Sequence, residues 1–73
     1  MRAIARPVVF SPMNTKELYI LIQLASGQTQ AQLAKSMGVT INTLKNQMKW
    51  IRWRLLAKNT THAVAIAIRS ELI

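Results

Sequence analysis

Apolar residues recur along most of the chain at spacings of three and four, the period that gathers side chains on one face of an α-helix. The longest run is Ile41, Leu44, Met48, Ile51 and Leu55, which predicts a helix from Ile41 to about Leu56 with one face held to a core. Leu18, Leu21, Ile22 and Ala25 form an earlier stripe. Ala31, Leu33, Ala34 and Met37 form a shorter one between the two, and Ala63, Ile66 and Ala67 mark a last helix with a body from Ala63 to Leu72. The pattern predicts an all-α domain of four helices over residues 13–73, preceded by an arm over residues 1–12 that holds both prolines and no helical period.

Polar residues at the helix ends support these boundaries. Asn14 stands three residues before Glu17, a variant of the capping box in which side-chain oxygens satisfy the first free N–H groups, and Gly27 is placed to end that helix. Thr29 and Gln32 form the strict S/T-x-x-E/Q box for the second helix. Gly38 stands where the chain must turn sharply, Val39 points inward and Thr40 caps the third helix. Thr60 or Thr61 is the expected cap of the fourth.

The outer faces carry the chemistry. At about 100° per residue, Asn42, Asn46, Lys49 and Trp53 fall opposite the apolar ladder of the third helix, with Lys45 and Arg52 on its flank. On the fourth helix, Val64, Ile68 and Leu72 make a second apolar line, which either contacts a second copy or sinks into the core. Arg2 and Arg6 in the arm either reach a phosphate backbone or minor groove, or belong to a frayed, solvated terminus.

Charge narrows the partner. Ten Lys and Arg face two acids, Glu17 and Glu71, for a net charge of +8, and this favours a polyanion. No cysteine is present, so disulfides and thiolate metal sites are excluded. His62 is the only histidine and reads as a polar residue near a helix start. With no clustered carboxylates there is no metal site, and with no paired titratable groups there is no acid-base or nucleophilic machinery. We therefore expect neither enzyme activity nor a cofactor. No apolar run approaches the roughly 20 residues of a membrane helix, so a soluble, cytoplasmic protein without membrane association is expected. At 73 residues the chain is small for an independent core, which makes oligomerisation an expectation as well.

A short helix, a glycine turn and a longer basic helix, with Leu33, Ala34, Met37, Gly38, Val39 and Leu44 at the packing positions, meet the needs of a helix-turn-helix. In that motif the first helix braces across the backbone and the second lies in the major groove of duplex DNA. From Met13 to Ile68, about three quarters of the chain, the sequence resembles the DNA-binding domain of LuxR/GerE-type transcriptional regulators. The matching segments are Met13 to Glu17, Gly27 to Thr29, Leu33-Ala34, Thr43 to Gln47 and Ile51 to Leu55.

The resemblance implies a four-helix domain that dimerises through its last helix and regulates transcription at paired half-sites. Carried over by position, Lys45, Asn46, Lys49 and Asn42 face the bases. An amide at Asn46 suits adenine, and a lysine suits guanine or a phosphate. Thr40 and Thr43 resemble backbone anchors, and Lys16, Gln30, Arg54 and Lys58 phosphate neighbours. Val64 and Ile68 fall in the implied homodimer contact.

Three positions depart from the family pattern: Gln47 replaces its histidine, Leu56 the glycine after the recognition helix, and Thr60 the arginine that opens the last helix. Trp50 and Trp53 are also unusual there; either Val8, Val9 and Phe10 of the arm cover them, or a partner does. With no sensor or receiver segment in these residues, control by abundance or by a partner is implied. The leading expectation is a sequence-specific DNA-binding regulator of bacterial or phage type. The alternative is an interaction protein that captures another regulator or RNA polymerase through the fourth helix and the tryptophans.

Overall fold

The computed structural model describes residues 13–73. The expected arm, with Arg2, Arg6, Val8, Val9 and Phe10, lies outside the described residues. Four helices follow in order: α1 (Thr15–Ala25), α2 (Gln30–Met37), α3 (Ile41–Leu55) and α4 (Thr60–Arg69), with no strand among the described residues. The all-α, four-helix class expected from the periodicity is therefore the observed one.

Each helix begins on a side-chain cap. The Asn14 carboxamide accepts from the Glu17 N–H at 2.8 Å, and the Glu17 carboxylate accepts in return from the Asn14 N–H at 3.1 Å. Thr29 and Gln32 make the same reciprocal pair at 3.1 and 3.0 Å, and the Thr40 hydroxyl accepts from the Thr43 N–H at 3.1 Å. At α4 the expected cap is corrected. Asn59, not Thr60 or Thr61, accepts from the His62 N–H at 2.8 Å, and His62 Nδ1 accepts from the Lys58 N–H at 3.0 Å. The carboxamide thus reaches N–H groups that a threonine one residue later sits too deep in the helix to cap, and His62 has the structural role its position implied.

The helices also close alike. A backbone N–H just past each end returns five residues, from Gln28 to Gln23, Val39 to Ala34, Ala57 to Arg52 and Leu72 to Ala67, at 2.8–3.2 Å. That closure needs a left-handed residue before the returning N–H, and the four are Gly27, Gly38, Leu56 and Glu71. Leu56, at φ 57°, performs the glycine's turn and ends α3 at Leu55. An L-residue with a bulky side chain is disfavoured in this conformation by roughly 1 kcal/mol. Leu56→Gly is therefore expected to raise stability by about 0.5–1 kcal/mol, a gain of a few degrees in Tm, since the exposed leucine gives up little burial. A lower Tm in thermal melts would show that the leucine is held there by contacts instead.

The core lies where α2 packs on α3, α3 on α4, and α1 on α2 and α4. Its fully buried centre is Ile20, Leu21, Leu33, Leu44, Met48 and Ile51, with Ala34, Ala63 and Ala67 where backbones come close. Four expected core residues are corrected: Ile22, Ala25, Ala31 and Ile41 are exposed. In α1 the buried row is Glu17, Ile20, Leu21 and the half-buried Leu24, one position round from the expected stripe. Glu17 lies in this row, its carboxylate turned inward to meet Arg54 of α3. The fourth helix ends at Arg69, short of the expected Leu72.

Candidate nucleic-acid interface

The turn from α2 to α3 takes three residues, Gly38 to Thr40, and Gly38 adopts the left-handed conformation at φ 73°. Leu33 and Ala34 are buried against α3, while Met37 and the inward-facing Val39 are half-buried against the same core. This packing turns the Leu44, Met48, Ile51 and Leu55 row of α3 inward and fixes which side faces out.

The outward side carries the residues singled out for base contact. Asn42, Lys45, Asn46 and Lys49 are all exposed, and no hydrogen bond or ion pair between side chains diverts them among the described residues. Their spacing places them on two successive turns, spanning about 10 Å of helix axis at roughly 1.5 Å per residue. A helix, about 10–12 Å across with its side chains, fits a major groove, which presents a distinct donor and acceptor pattern for each base pair. Asn46 offers a donor and an acceptor together, whereas the lysines offer only donors.

The residues expected near phosphates divide. Thr40 and Thr43 are exposed at the start of α3, their hydroxyls 2.9 Å apart. No acidic residue lies in the first turn of α2 or α3, so the partial positive charge of each helix start is left uncompensated and favours an anion. Lys16 and Lys58 are exposed, on α1 and after α3. Gln30 is half-buried and donates from Nε2 to Thr60 Oγ1 at 3.3 Å, tying α2 to α4. Arg54, expected beside a phosphate, is instead drawn to Glu17 across the seam of α1 and α3. Its first role is thus to fix α3 against α1, and only the remaining guanidinium edge is left for another group. Sequence periodicity missed this pair because the partners are 37 residues apart. Its available signal was a buried-side Glu in a chain with only two acids.

Gln47 is half-buried and lines, with Trp50 and Arg54 of α3, a cleft against Lys16 and Glu17 of α1, and is not among the exposed outward set. On α4 and just beyond it, Ile68 is exposed, while Val64 and Leu72 are half-buried and pack against the core, so the expected second apolar line is present only in part. Trp50 and Trp53 are 56% and 70% exposed, meeting edge to face at 6.3 Å with an interplanar angle of 84°. Leu56, the left-handed residue that caps α3, is also 70% exposed and was not singled out as a surface residue from the sequence. Its place three residues after Trp53 was the signal.

Among the described residues no group of acids and histidine is placed to hold a metal, and no helix is long and apolar enough to cross a membrane. Comparison with protein-family models and with curated proteins gives no match. What the four helices define by geometry is a short helix braced over a longer cationic one, with four polar side chains presented outward.

Proposed function

We propose that this chain is a sequence-specific, double-stranded DNA-binding transcriptional regulator of LuxR/GerE type that inserts α3 into the major groove. The observation that carries this reading is the exposed set Asn42, Lys45, Asn46 and Lys49, held outward by the α2–α3 turn in a chain of net charge +8. Lys45, Asn46, Lys49 and Asn42 contact bases in this reading. Thr40 and Thr43 anchor the phosphate backbone with help from Lys16, Lys58 and the start of α2, where Gln30 sits, while Arg54 contributes chiefly through its pair with Glu17. The activity is binding, not catalysis, and needs no cofactor. The protein works in the cytoplasm as a homodimer, with Val64 and Ile68 of α4 facing the second copy and two α3 helices reading paired half-sites.

A nuclease footprint over a salt series tests the reading. Phosphate neutralisation alone gives binding that fades steeply with salt and favours no sequence. Protection of a defined site that persists near physiological salt supports base readout by α3. Protection that is uniform along the duplex at every salt concentration contradicts it.

A further inference from the structure

We infer that Trp50, Trp53 and Leu56 form a docking ridge for an acidic, apolar-anchored helix of a partner protein, and that this partner and duplex DNA exclude one another on α3. The exclusion rests on the DNA-binding reading above; the docking ridge does not.

Trp50 and Trp53 stand one turn apart on α3 with their rings in edge-to-face contact, and Leu56, the left-handed residue that caps the helix, is exposed just beyond them. All three are more than half exposed. An apolar ridge of this size on a small monomer marks an interaction surface, and tryptophan is enriched where interfaces concentrate their binding energy.

Charge identifies the partner. A second row, Lys49 and Arg52, runs beside the ridge, with Lys49 one turn from Trp53 and Arg52 one turn from Leu56. No carboxylate lies anywhere on α3. On the opposite flank, Arg54 is already neutralised by Glu17. A partner helix with apolar anchors at three- and four-residue spacing and carboxylates alongside matches both rows. A second copy of this chain fits poorly, because pairing ridge to ridge brings Lys49 and Arg52 of one copy against those of the other. Stacked nucleic-acid bases fit poorly as well. Successive bases in a stack lie parallel, whereas these two rings stand at 84°, and Leu56 has no aromatic face.

The ridge is not remote from the DNA-facing residues. Trp53 points along the same side of α3 as Asn46 and lies about 10 Å further along the axis. A helix seated on the ridge, about 10 Å across, covers Lys49 and blocks entry of α3 into a groove.

The chain's two tryptophans are both in the ridge, so intrinsic emission reports its occupancy without a label. The full-length chain is titrated with a helical peptide carrying Leu at i, i+3 and i+7 among Glu residues. Two further peptides serve as controls, one with Ser for Leu and one with Lys for Glu. A saturable blue shift with the first peptide alone is expected. Leu56→Ala, which keeps both reporters, and Trp53→Ala should each weaken it about tenfold or more with an unchanged helical circular-dichroism signal. The same peptide should release a fluorescent mixed-sequence duplex from the chain.

Equal binding of the Leu and Ser peptides would overturn the proposal, since charge alone would then account for it. Emission already blue-shifted in the free chain and unmoved by peptide would show the ridge to be covered. A dimer in sedimentation that Trp53→Ala converts to monomer would assign the ridge to a second copy. A duplex that shifts the emission itself, with affinity lost in Trp53→Ala, would assign it to DNA. Peptide and duplex bound together would overturn the exclusion. If no duplex binds, the DNA-binding reading fails and the emission titration still decides the ridge.

Discussion

Reversing the charges at Lys45 and Lys49 together should lower affinity for a specific duplex by about 100-fold or more while leaving the protein folded. Both side chains are exposed, so the double variant Lys45→Glu/Lys49→Glu removes no core contact. Each lysine contributes either a base contact, worth roughly 1–3 kcal/mol of discrimination, or one neutralised phosphate, and a glutamate adds repulsion from the DNA. Two such losses amount to at least about 2 kcal/mol before repulsion, and repulsion carries the total beyond 100-fold. Single Lys→Ala variants then separate the two roles. A phosphate contact weakens binding to all sequences and reduces the salt slope by about one, whereas a base contact relaxes preference at one position. Fluorescence anisotropy at several salt concentrations measures both. A double variant that binds its duplex within a few-fold of the parent would place the DNA contact somewhere other than the outer face of α3.

The second large effect is on the fold that presents this face. Leu44→Ala should leave most of the protein unfolded at ambient temperature. Leu44 is fully buried among Leu33, Met48 and Ile51, and truncating such a leucine costs about 2–5 kcal/mol in lost transfer and cavity formation. A domain of this size rarely has more than about 3–5 kcal/mol in total. The helical circular-dichroism signal against temperature or urea gives the result. A loss below about 1 kcal/mol would show that the α2–α3 interface collapses around the gap or that the core is larger than its buried set. Leu44 and Lys45 are adjacent on α3, yet loss of the first is expected to unfold the domain and loss of the second, with Lys49, only to silence it.

Much of this architecture was legible in the sequence because it rests on local rules. Asn14, Thr29 and Thr40 cap their helices through bonds to the N–H three residues on, and such contacts need no knowledge of the rest of the chain. The α3 row from Leu44 to Leu55 was readable for a related reason: its aliphatic residues recur at three- and four-residue spacing on one face, while Asn42, Lys45, Asn46 and Lys49 lie on the other side. In α1, aliphatic residues occupy positions 18, 20, 21, 22 and 24, and periodicity alone leaves two adjacent faces nearly equal. The face that is buried includes Glu17, which reaches Arg54, a contact between distant segments that no local pattern encodes. Leu56 shows the same limit in the backbone. Its position after α3 was readable as a place for glycine, but that a leucine there adopts the left-handed turn and leaves its side chain exposed needed the three-dimensional chain. Within the candidate interface, exposure of Asn42, Lys45, Asn46 and Lys49 followed from their place opposite the core row. The pairing of Arg54 with the partly buried Glu17 carboxylate did not follow from local pattern, because its partner lies on a distant segment.

The most direct measurement of the central claim is selection from a randomised duplex library by the full-length chain at about physiological salt, followed by sequencing of the retained fraction. Base readout by a pair of α3 helices predicts enrichment of an inverted repeat with half-site centres about one helical turn apart, or a multiple of it. Retention of duplexes with no enriched motif, by a chain whose helical signal is intact, would contradict sequence-specific regulation.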